Sequence, residues 1–413
     1  ALHKHGEKSR IPHVLHHHGM VMAHIAMVVT NPCSPDPRVL RHANWLVMEG
    51  HEVTIHAYDR QEQYPMSESR EGVRLMRYHL GKSPYGGMIK TALGIRNFNK
   101  TVSRSLGTNQ PQVVYCHDAD TLATGCFLKK KYKIPLVFDM HDLQHTWVRM
   151  VSPKSLLRKF LSKMMEGKML RRLKHVDLII TSSGKLSEKG SYSGFREYLM
   201  ANGYSSTVIE NRPEIEYLNR KTCTDSWCVG YLGRVRELES FEFLLEAVLT
   251  LDPAQRPSLL VAGDGVAFES VSNLLYSAKR EHKLDVKIHG GFDAGEFIKM
   301  IQEVDVMFAL YSPTRGNILQ GALPVKMFDA AACGVPSVIN ADCLMAELAE
   351  NEGIGRAVEW KNTKMLATEL LYLRGKNVQL DATSMREKTR FLEALNPFLN
   401  GLDKGRANHN SSN

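Results

Sequence analysis

The 413-residue sequence contains no run of about 18 apolar residues, so no membrane-spanning helix is expected. Its first 22 residues lack the apolar core of a secretory signal peptide. They hold His3, His5, His13, His16, His17 and His18 without periodicity. A disordered leader, either a purification remnant or sequence upstream of a start at Met20 or Met22, fits that composition better than a metal site. Cys-x-x-Cys pairs are also missing. Seven scattered Cys residues leave one over from any pairing, which argues against a disulfide scaffold and for free thiols in a reducing, cytoplasmic compartment. The basic residues lack interleaved aromatics for base stacking, and no nucleic-acid module is present, so a nucleic-acid partner is not expected. Low complexity is confined to Asn408–Asn413.

Charge is divided unevenly. Residues 1–200 carry 30 Lys and Arg against 16 Asp and Glu, a net of +14, while residues 201–400 carry 21 against 27, a net of −6. A basic half joined to a mildly acidic half points to an anionic partner for the first half. Its densest part is Lys154 to Lys174. There Lys154, Arg158, Lys159, Lys163, Lys168, Arg171, Arg172 and Lys174 oppose Glu166 alone, and Leu156, Leu157, Phe160, Leu161, Met164, Met165, Met169, Leu170 and Leu173 recur at helical spacing. Such a helix can lie on an anionic membrane or pack its apolar face on a sheet.

A hydrophobic content of 43 % and this length suit two domains of about 200 residues each. Short β-branched runs alternate with helical periodicity in each half, the pattern of βαβ units. Strands are expected at His24–Thr30, Val53–Ala57, Val73–Tyr78, Val113–Cys116, Leu136–Phe138 and Leu178–Thr181, then at Cys228–Leu232, Leu259–Ala262, Val286–His289, Val306–Leu310 and Ser337–Ile339. The fold class is therefore α/β, two doubly wound Rossmann-like domains facing a cleft, with ligands at the C-terminal strand ends. The expected division is a leader over 1–22, domains over 23–210 and 211–395, and a tail over 396–413.

Asn317–Asn340, NILQGALPVKMFDAAACGVPSVIN, carries the densest chemistry. Pro324 suits the first turn of a helix, and Lys326 and Asp329 share one face of it. Free N–H groups, a cation and a carboxylate at a helix N-terminus suit a phosphorylated, hydroxyl-rich ligand, although an ordinary solvated helix face would look the same. Gly230–Arg234 ends a strand in a Gly233-Arg234 turn, and Arg is the best bidentate partner for phosphate. Gly263-Asp264-Gly265 and His289-Gly290-Gly291 form two further strand-end turns. In the first half His117-Asp118-Ala119-Asp120 and Asp139-Met140-His141-Asp142 each close a strand. Asp118 and Asp120 read as helix caps in preference to a metal pair. Asp36 and Arg38 follow the first strand, as a phosphate-touching loop or as an N-cap and a surface Arg.

Asn317, Pro324, Lys326, Phe328, Asp329, Ala332, Gly334 and Pro336 match in order the donor-site pattern N…P-x-K-x-F-[ED]-x-x-A-x-G-x-P, and the chain thereby resembles the family 4 (group 1) retaining glycosyltransferases over roughly residues 24–395. The resemblance implies the two-domain GT-B fold and retaining, metal-independent transfer of a hexosyl or N-acetylhexosaminyl unit from a nucleotide-diphosphate sugar, a substrate rather than a cofactor. It implies that His117, Asp139 and His141 line the cleft as catalytic residues, His117 facing the donor sugar. It assigns donor binding to Gly233, Arg234, Gly263, Gly265, His289, Asn317, Gly321, Pro324, Lys326 and Asp329, with Asp329 on the ribose. Two positions depart from the family. The first of the two family Glu residues is Gly321 here, and the Lys that follows the family Gly-Arg is Glu239, for which Arg236 can substitute. The charge and the basic helix add an expectation of a lipid-linked or anionic acceptor, with the protein peripheral at the inner membrane face. A nucleotide-sugar epimerase of the same fold is the alternative reaction.

Overall fold

The computed structural model describes residues 22–34, 36–82, 88–150, 152, 154–214 and 226–410. The His-rich leader through residue 21, residues 215–225 just beyond the expected domain boundary, and the last three residues lie outside that set.

The first domain is built on strands β1 (His24–Val29), β2 (Glu52–Tyr58), β3 (Ser67–Arg70), β4 (Val73–Tyr78), β5 (Val113–His117), β6 (Leu136–Met140), β7 (Leu178–Thr181) and β8 (Thr207–Val208). The second uses β9 (Cys228–Leu232), β10 (Ser258–Ala262), β11 (Val286–His289), β12 (Val306–Ala309), β13 (Ser337–Asn340) and β14 (Gly355–Val358). Sheet orders are β3-β4-β2-β1-β5-β6-β7-β8 and β11-β10-β9-β12-β13-β14. Every pairing is parallel except β3 with β4. Parallel strands are covered on both faces, so β1, β5 and β6 are buried at nearly every position and apolar apart from His24, His117 and Asp139 near their ends. In both sheets the strand order reverses beside the first strand of the domain, and a ligand crevice lies at that switch point.

The first domain's helices are α1 (Pro37–Met48), α2 (Met88–Thr108), α3 (Leu122–Tyr132), α4 (Gln144–Met150), α5 (Leu156–Leu173) and α6 (Phe195–Ala201). Those that follow are α7 (Glu239–Thr250), α8 (Phe268–His282), α9 (Ala294–Ile301), α10 (Val325–Ala332), α11 (Leu344–Asn351), α12 (Thr363–Leu373) and α13 (Ser384–Asn410). The expected tail over 396–413 is corrected by α13, one continuous helix through Pro397. Its Phe391, Leu395 and Leu399, spaced by four, enter the core of the first domain with Trp45 and Val39. The Phe391 ring lies 4.6 Å from His42 and 5.4 Å from Trp45. The chain thus returns to the domain in which it began, and residues 384–395 pack there rather than in the second domain. Asn396-Pro397 looks like a stop signal because Pro removes a helix hydrogen bond. Burial of the apolar stripe outweighs that loss.

The connection between the domains is anchored by Arg212, fully buried. Its guanidinium donates to Glu210 at 2.6 Å, to both oxygens of Glu352 at 2.8 and 2.5 Å and to the Ala382 carbonyl at 2.9 Å. It also stacks on Phe328 at 4.5 Å. Five donors on one rigid fork let Arg212 join four separate parts of the chain.

The candidate active site in the interdomain cleft

Asp139 is the penultimate residue of β6 and is completely buried. Arg38, also buried, donates to both its oxygens at 2.9 and 2.7 Å and to the Ile209 carbonyl at 2.7 Å. The expectation that Arg38 touches phosphate, or lies on the surface, is therefore corrected. Its partner is an internal carboxylate. Asp36 accepts from Val39 N–H and from Asn31 Nδ2, so it is the α1 N-cap rather than a phosphate contact.

Three imidazoles surround Asp139. His141 Nε2 lies 3.0 Å from Oδ2, and His42 and His117 each present Nδ1 at 3.4 Å. Burial alone would raise the Asp139 carboxyl, but Arg38 and then His141 hold it well below the usual range. Burial and the Arg38 charge push His42 down, and burial lowers His117. His141 behaves oppositely. Burial opposes its charge, yet Asp118, 3.5 Å from Nδ1, and Asp139 raise it to about 9. His141 is therefore an imidazolium whose Nε2 lies within reach of both Asp139 Oδ2, at 3.0 Å, and His117 Nδ1, at 3.1 Å. His117 Nε2 has no hydrogen-bond partner among the described residues.

This geometry corrects the role of His117. Its side chain is fully buried and stacked on Tyr115 at 4.5 Å, so it does not face the cleft. His141 and Asp118, with side chains 18 % and 19 % exposed, are the groups that do. Asp118 has φ +65°, and its carboxylate accepts from His141 N–H at 3.1 Å. Burial raises the Asp118 carboxyl to about 7. His117, Asp139 and His141 offer ligand atoms within 4.8 Å of one another, enough to hold a metal ion. The chemistry of the donor set does not fit one, because the Arg38 guanidinium already occupies both Asp139 oxygens.

Across the cleft, Gly233 turns the chain after β9 at φ +144°. A Cβ built at Gly263 would meet the Gly233 carbonyl oxygen at 1.9 Å, and one at Gly265 would meet that of Val235 at 2.1 Å. These two glycines are thus required for close approach of the strand-end loops, whatever the ligand. Arg234 beside them is exposed, 4.0 Å from Asp264. Lys326, in the first turn of α10 behind its N-cap Pro324, extends to the Gly233 turn and sits 3.2 Å from the Tyr231 ring centre. Arg236 is 5.9 Å from the ring centre of Trp147, which belongs to α4 of the first domain. Glu239 is engaged by Ser312 Oγ at 2.8 Å and Lys361 at 3.1 Å, away from any clamp role. Asp329 is half-buried, and burial raises its carboxyl to about 7 against the pull of Arg41. The His289 side chain is exposed, and the His289 and Gly290 carbonyls accept from Gly263 N–H.

Two expected donor residues make contacts between the domains. Asn317 Nδ2 donates to both oxygens of Asp142 at 2.9 Å, and Trp147 Nε1 donates to the same carboxylate at 2.9 Å. Gly321, with φ +100°, has no room for a side chain. A Cβ there would lie 2.5 Å from Gly194 Cα and 2.6 Å from the Ser193 carbonyl. The family Glu is absent from this position because first-domain backbone fills the space. Glu347 adds a third tie, accepting from Ser191 N–H at 3.1 Å and Tyr192 N–H at 3.2 Å. No signal in the sequence marked Glu347; Asp142 stood beside His141 in its motif.

Family models match both halves, a glycosyl transferase 4-like domain over residues 35–189 and a glycosyl transferases group 1 domain over 227–375. The chain belongs to the group 1 glycosyltransferases. Solved structures agree with its GT-B fold. Sucrose-phosphate synthase of Thermosynechococcus elongatus superposes with a TM-score of 0.66 at 14 % identity, over 94 % of this chain and 98 % of that one. The catalytic domain of Arabidopsis thaliana starch synthase IV, bound to ADP and acarbose, gives 0.62 at 11 %, over 92 % and 100 %. Anabaena HepE in complex with UDP-glucose gives 0.59 at 14 %, over 95 % and 100 %. No curated protein matches significantly by sequence. This group 1 glycosyltransferase therefore shares its architecture with these enzymes at 11–14 % identity, and its own substrates must be argued from its residues.

Proposed function

We propose that this enzyme transfers a sugar from a nucleotide-diphosphate donor, with retention and without a metal, to an anionic lipid-linked acceptor at the cytoplasmic membrane face, as a step of glycan or glycolipid assembly. The observation that carries the donor side is the convergence of Lys326, Arg234 and the α10 N-terminus on the Gly233 turn. Two cations and a helix N-terminus offset the charge that develops on a leaving diphosphate, the role a metal takes elsewhere. The half-buried Asp329 suits the ribose hydroxyls. Relatives bound to UDP-glucose and to ADP support the same donor class.

On the facing side His141 and Asp118 reach the cleft, while Asp139, held by Arg38, positions His141. Asp139 and Asp142 are committed to cation and amide partners, and Asp118 to the His141 N–H and imidazolium, so none of the three is a free nucleophile. Same-face substitution follows from that, the leaving phosphate taking the acceptor hydroxyl proton as the new glycosidic bond forms. The His141 imidazolium polarises the sugar or phosphate oxygen nearest it.

A thermal-shift screen of UDP-, GDP- and ADP-sugars should find one donor that raises stability by mass action. Arg234→Ala, Lys326→Ala and Asp329→Ala should each weaken that donor about 10- to 100-fold, the loss of a charge-assisted hydrogen bond of about 1.5–3 kcal/mol. Turnover should persist in excess chelator. Unchanged donor affinity in all three variants, or activity abolished by EDTA and restored by Mn²⁺, would overturn the assignment.

The membrane side rests on α5. Only Ser162, Met169 and Leu173 of it are buried, while Leu156, Leu157, Phe160 and Met164 are more than half exposed among Lys and Arg residues. No described helix is long and apolar enough to cross a membrane. Each cation near an anionic surface contributes about 1 kcal/mol. Lys159→Glu with Lys163→Glu should release the protein from phosphatidylglycerol vesicles at low salt and leave donor binding unchanged. A wild-type protein that ignores such vesicles would sink the membrane reading.

A further inference from the structure

The α2 helix has no part in the chemistry above, yet it faces α5 across a groove of about 910 Å³. Ala123 and Phe127 of α3, Leu93 and Ile95 of α2, and Met165 and Met169 of α5 give the groove apolar walls. At one end lie Asp120 and Gln144, joined through Asp120 N–H to Gln144 Oε1 at 3.2 Å. Thr30, just past the C-terminal end of β1, donates to Asp120 at 2.5 Å. That end therefore sits on the same loop that carries Asp118 into the cleft.

The rim is cationic. Arg96, Lys100 and Arg104 of α2 line the groove with Lys168 and Arg172 of α5. Among the described residues no carboxylate pairs with any of these five side chains. Their crowding shows at Lys168, whose ammonium is pulled below its ordinary value by Arg172 first, then by burial, Arg171 and Arg96. Like charges held this close are relieved by a bound anion.

Apolar walls and a cationic rim together select an amphiphile. A free phosphate or a nucleotide has no use for Leu93, Phe127 and Met165. A neutral hydrocarbon has no use for five unpaired cations. Ile89 and Leu93 at the start of α2 are exposed, as are Leu156, Leu157 and Phe160 at the start of α5, so both walls present apolar residues beside the entrance. The volume is that of an ordinary small-molecule site, ample for one chain.

We infer that the α2–α5 groove takes the hydrocarbon chain of a lipid phosphate, with its phosphate on the cationic rim and the acceptor group linked to that phosphate toward Asp120, Gln144 and the cleft. This rests on the lipid-linked acceptor proposed above, and names where that acceptor lies. The groove differs from the outer face of α5. Lys159 and Lys163 are exposed and do not line it.

The test is calorimetric titration of the full chain with farnesyl phosphate below its micelle concentration, with farnesol and inorganic phosphate as the other two arms. Farnesyl phosphate should bind at least tenfold more tightly than either. Ala123→Trp and Ala92→Trp, which fill the groove from two different helices, should each weaken it at least tenfold. Arg96→Glu with Lys168→Glu should reduce it to the level of farnesol. Circular dichroism and the donor-induced thermal shift establish that each variant is folded. Inorganic phosphate binding as well as farnesyl phosphate, or undiminished binding by both Trp variants, overturns the inference. The vesicle variant, Lys159→Glu with Lys163→Glu, separates the two readings. If it loses vesicles and keeps farnesyl phosphate, the groove is a site of its own. If the wild type binds vesicles but not farnesyl phosphate, the groove fails and the membrane reading stands. Binding of farnesyl phosphate without vesicle binding supports the groove and removes the membrane.

Discussion

Asp139→Asn is expected to destabilise the first domain by about 3–5 kcal/mol, because it leaves the buried Arg38 guanidinium without its counter-charge. The side chains of both partners are almost wholly excluded from water, 4 % and 0 % exposed, so solvent cannot take over the lost interaction. An Asn amide is nearly the same shape, which confines the change to charge. Urea unfolding monitored in the first domain measures it, and a loss below about 1 kcal/mol would contradict the assignment of Asp139 as the anionic hub. The substitution also has a pH signature. The folded state raises His141 above its ordinary value, to about 9, so its contribution to stability is complete below about pH 6.5 and is lost as pH rises through 9. Without the Asp139 charge the imidazolium has only Asp118 beside it, and the loss should begin at lower pH. A ring titration by NMR in wild type and variant reads this shift without any assay of activity.

Gly321→Glu should impair the enzyme although it restores the residue type common in the family. The backbone at φ +100° disfavours any side chain, at a cost of about 1–3 kcal/mol. The new Cβ would also fall 2.5 Å from Gly194 Cα and 2.6 Å from the Ser193 oxygen, both main-chain atoms that cannot rotate away. The domains must then separate, which pulls Asn317 from Asp142 and Glu347 from the Ser191–Tyr192 amides. Donor affinity should fall little, since Arg234 and Lys326 both belong to the second domain. Transfer should fall at least 100-fold, about 2.7 kcal/mol in the barrier, and small-angle scattering should show a larger radius of gyration. Unchanged or increased turnover would mean that the family Glu position lies open to the donor here too.

These two residues show where sequence stops being informative. The strand-end positions of Asp139 and His141 were legible because the apolar run Leu136–Phe138 stops there, and their place in the cleft was what the family resemblance implied. The unbroken apolar strands and the Gly turns behind them likewise announced two parallel, doubly wound sheets, since only strands covered on both faces are that uniformly apolar. The segment Pro324–Asp329 announced a helix start with a cation and an acid on one face, which is local geometry. What escaped was every feature decided by parts of the chain far apart in sequence. Arg38 looks like a surface residue until β6 brings Asp139 to it from 101 positions away. His117 and His141 have the same strand-end setting, and burial under Tyr115 and His42, rather than residue type, decides that only His141 reaches the cleft. Gly321 reads as a missing Glu until Gly194 of the other domain is seen to fill its space. Residues 396–413 read as a tail until α13 runs on into them, its Phe391, Leu395 and Leu399 buried in the first-domain core. Local sequence determines which segments are strands, helices and turns, because hydrogen-bond patterns and side-chain periodicity are short-range. Which polar groups are buried together, and hence which of them carry charge, depends on desolvation and on partners that only the folded chain assembles.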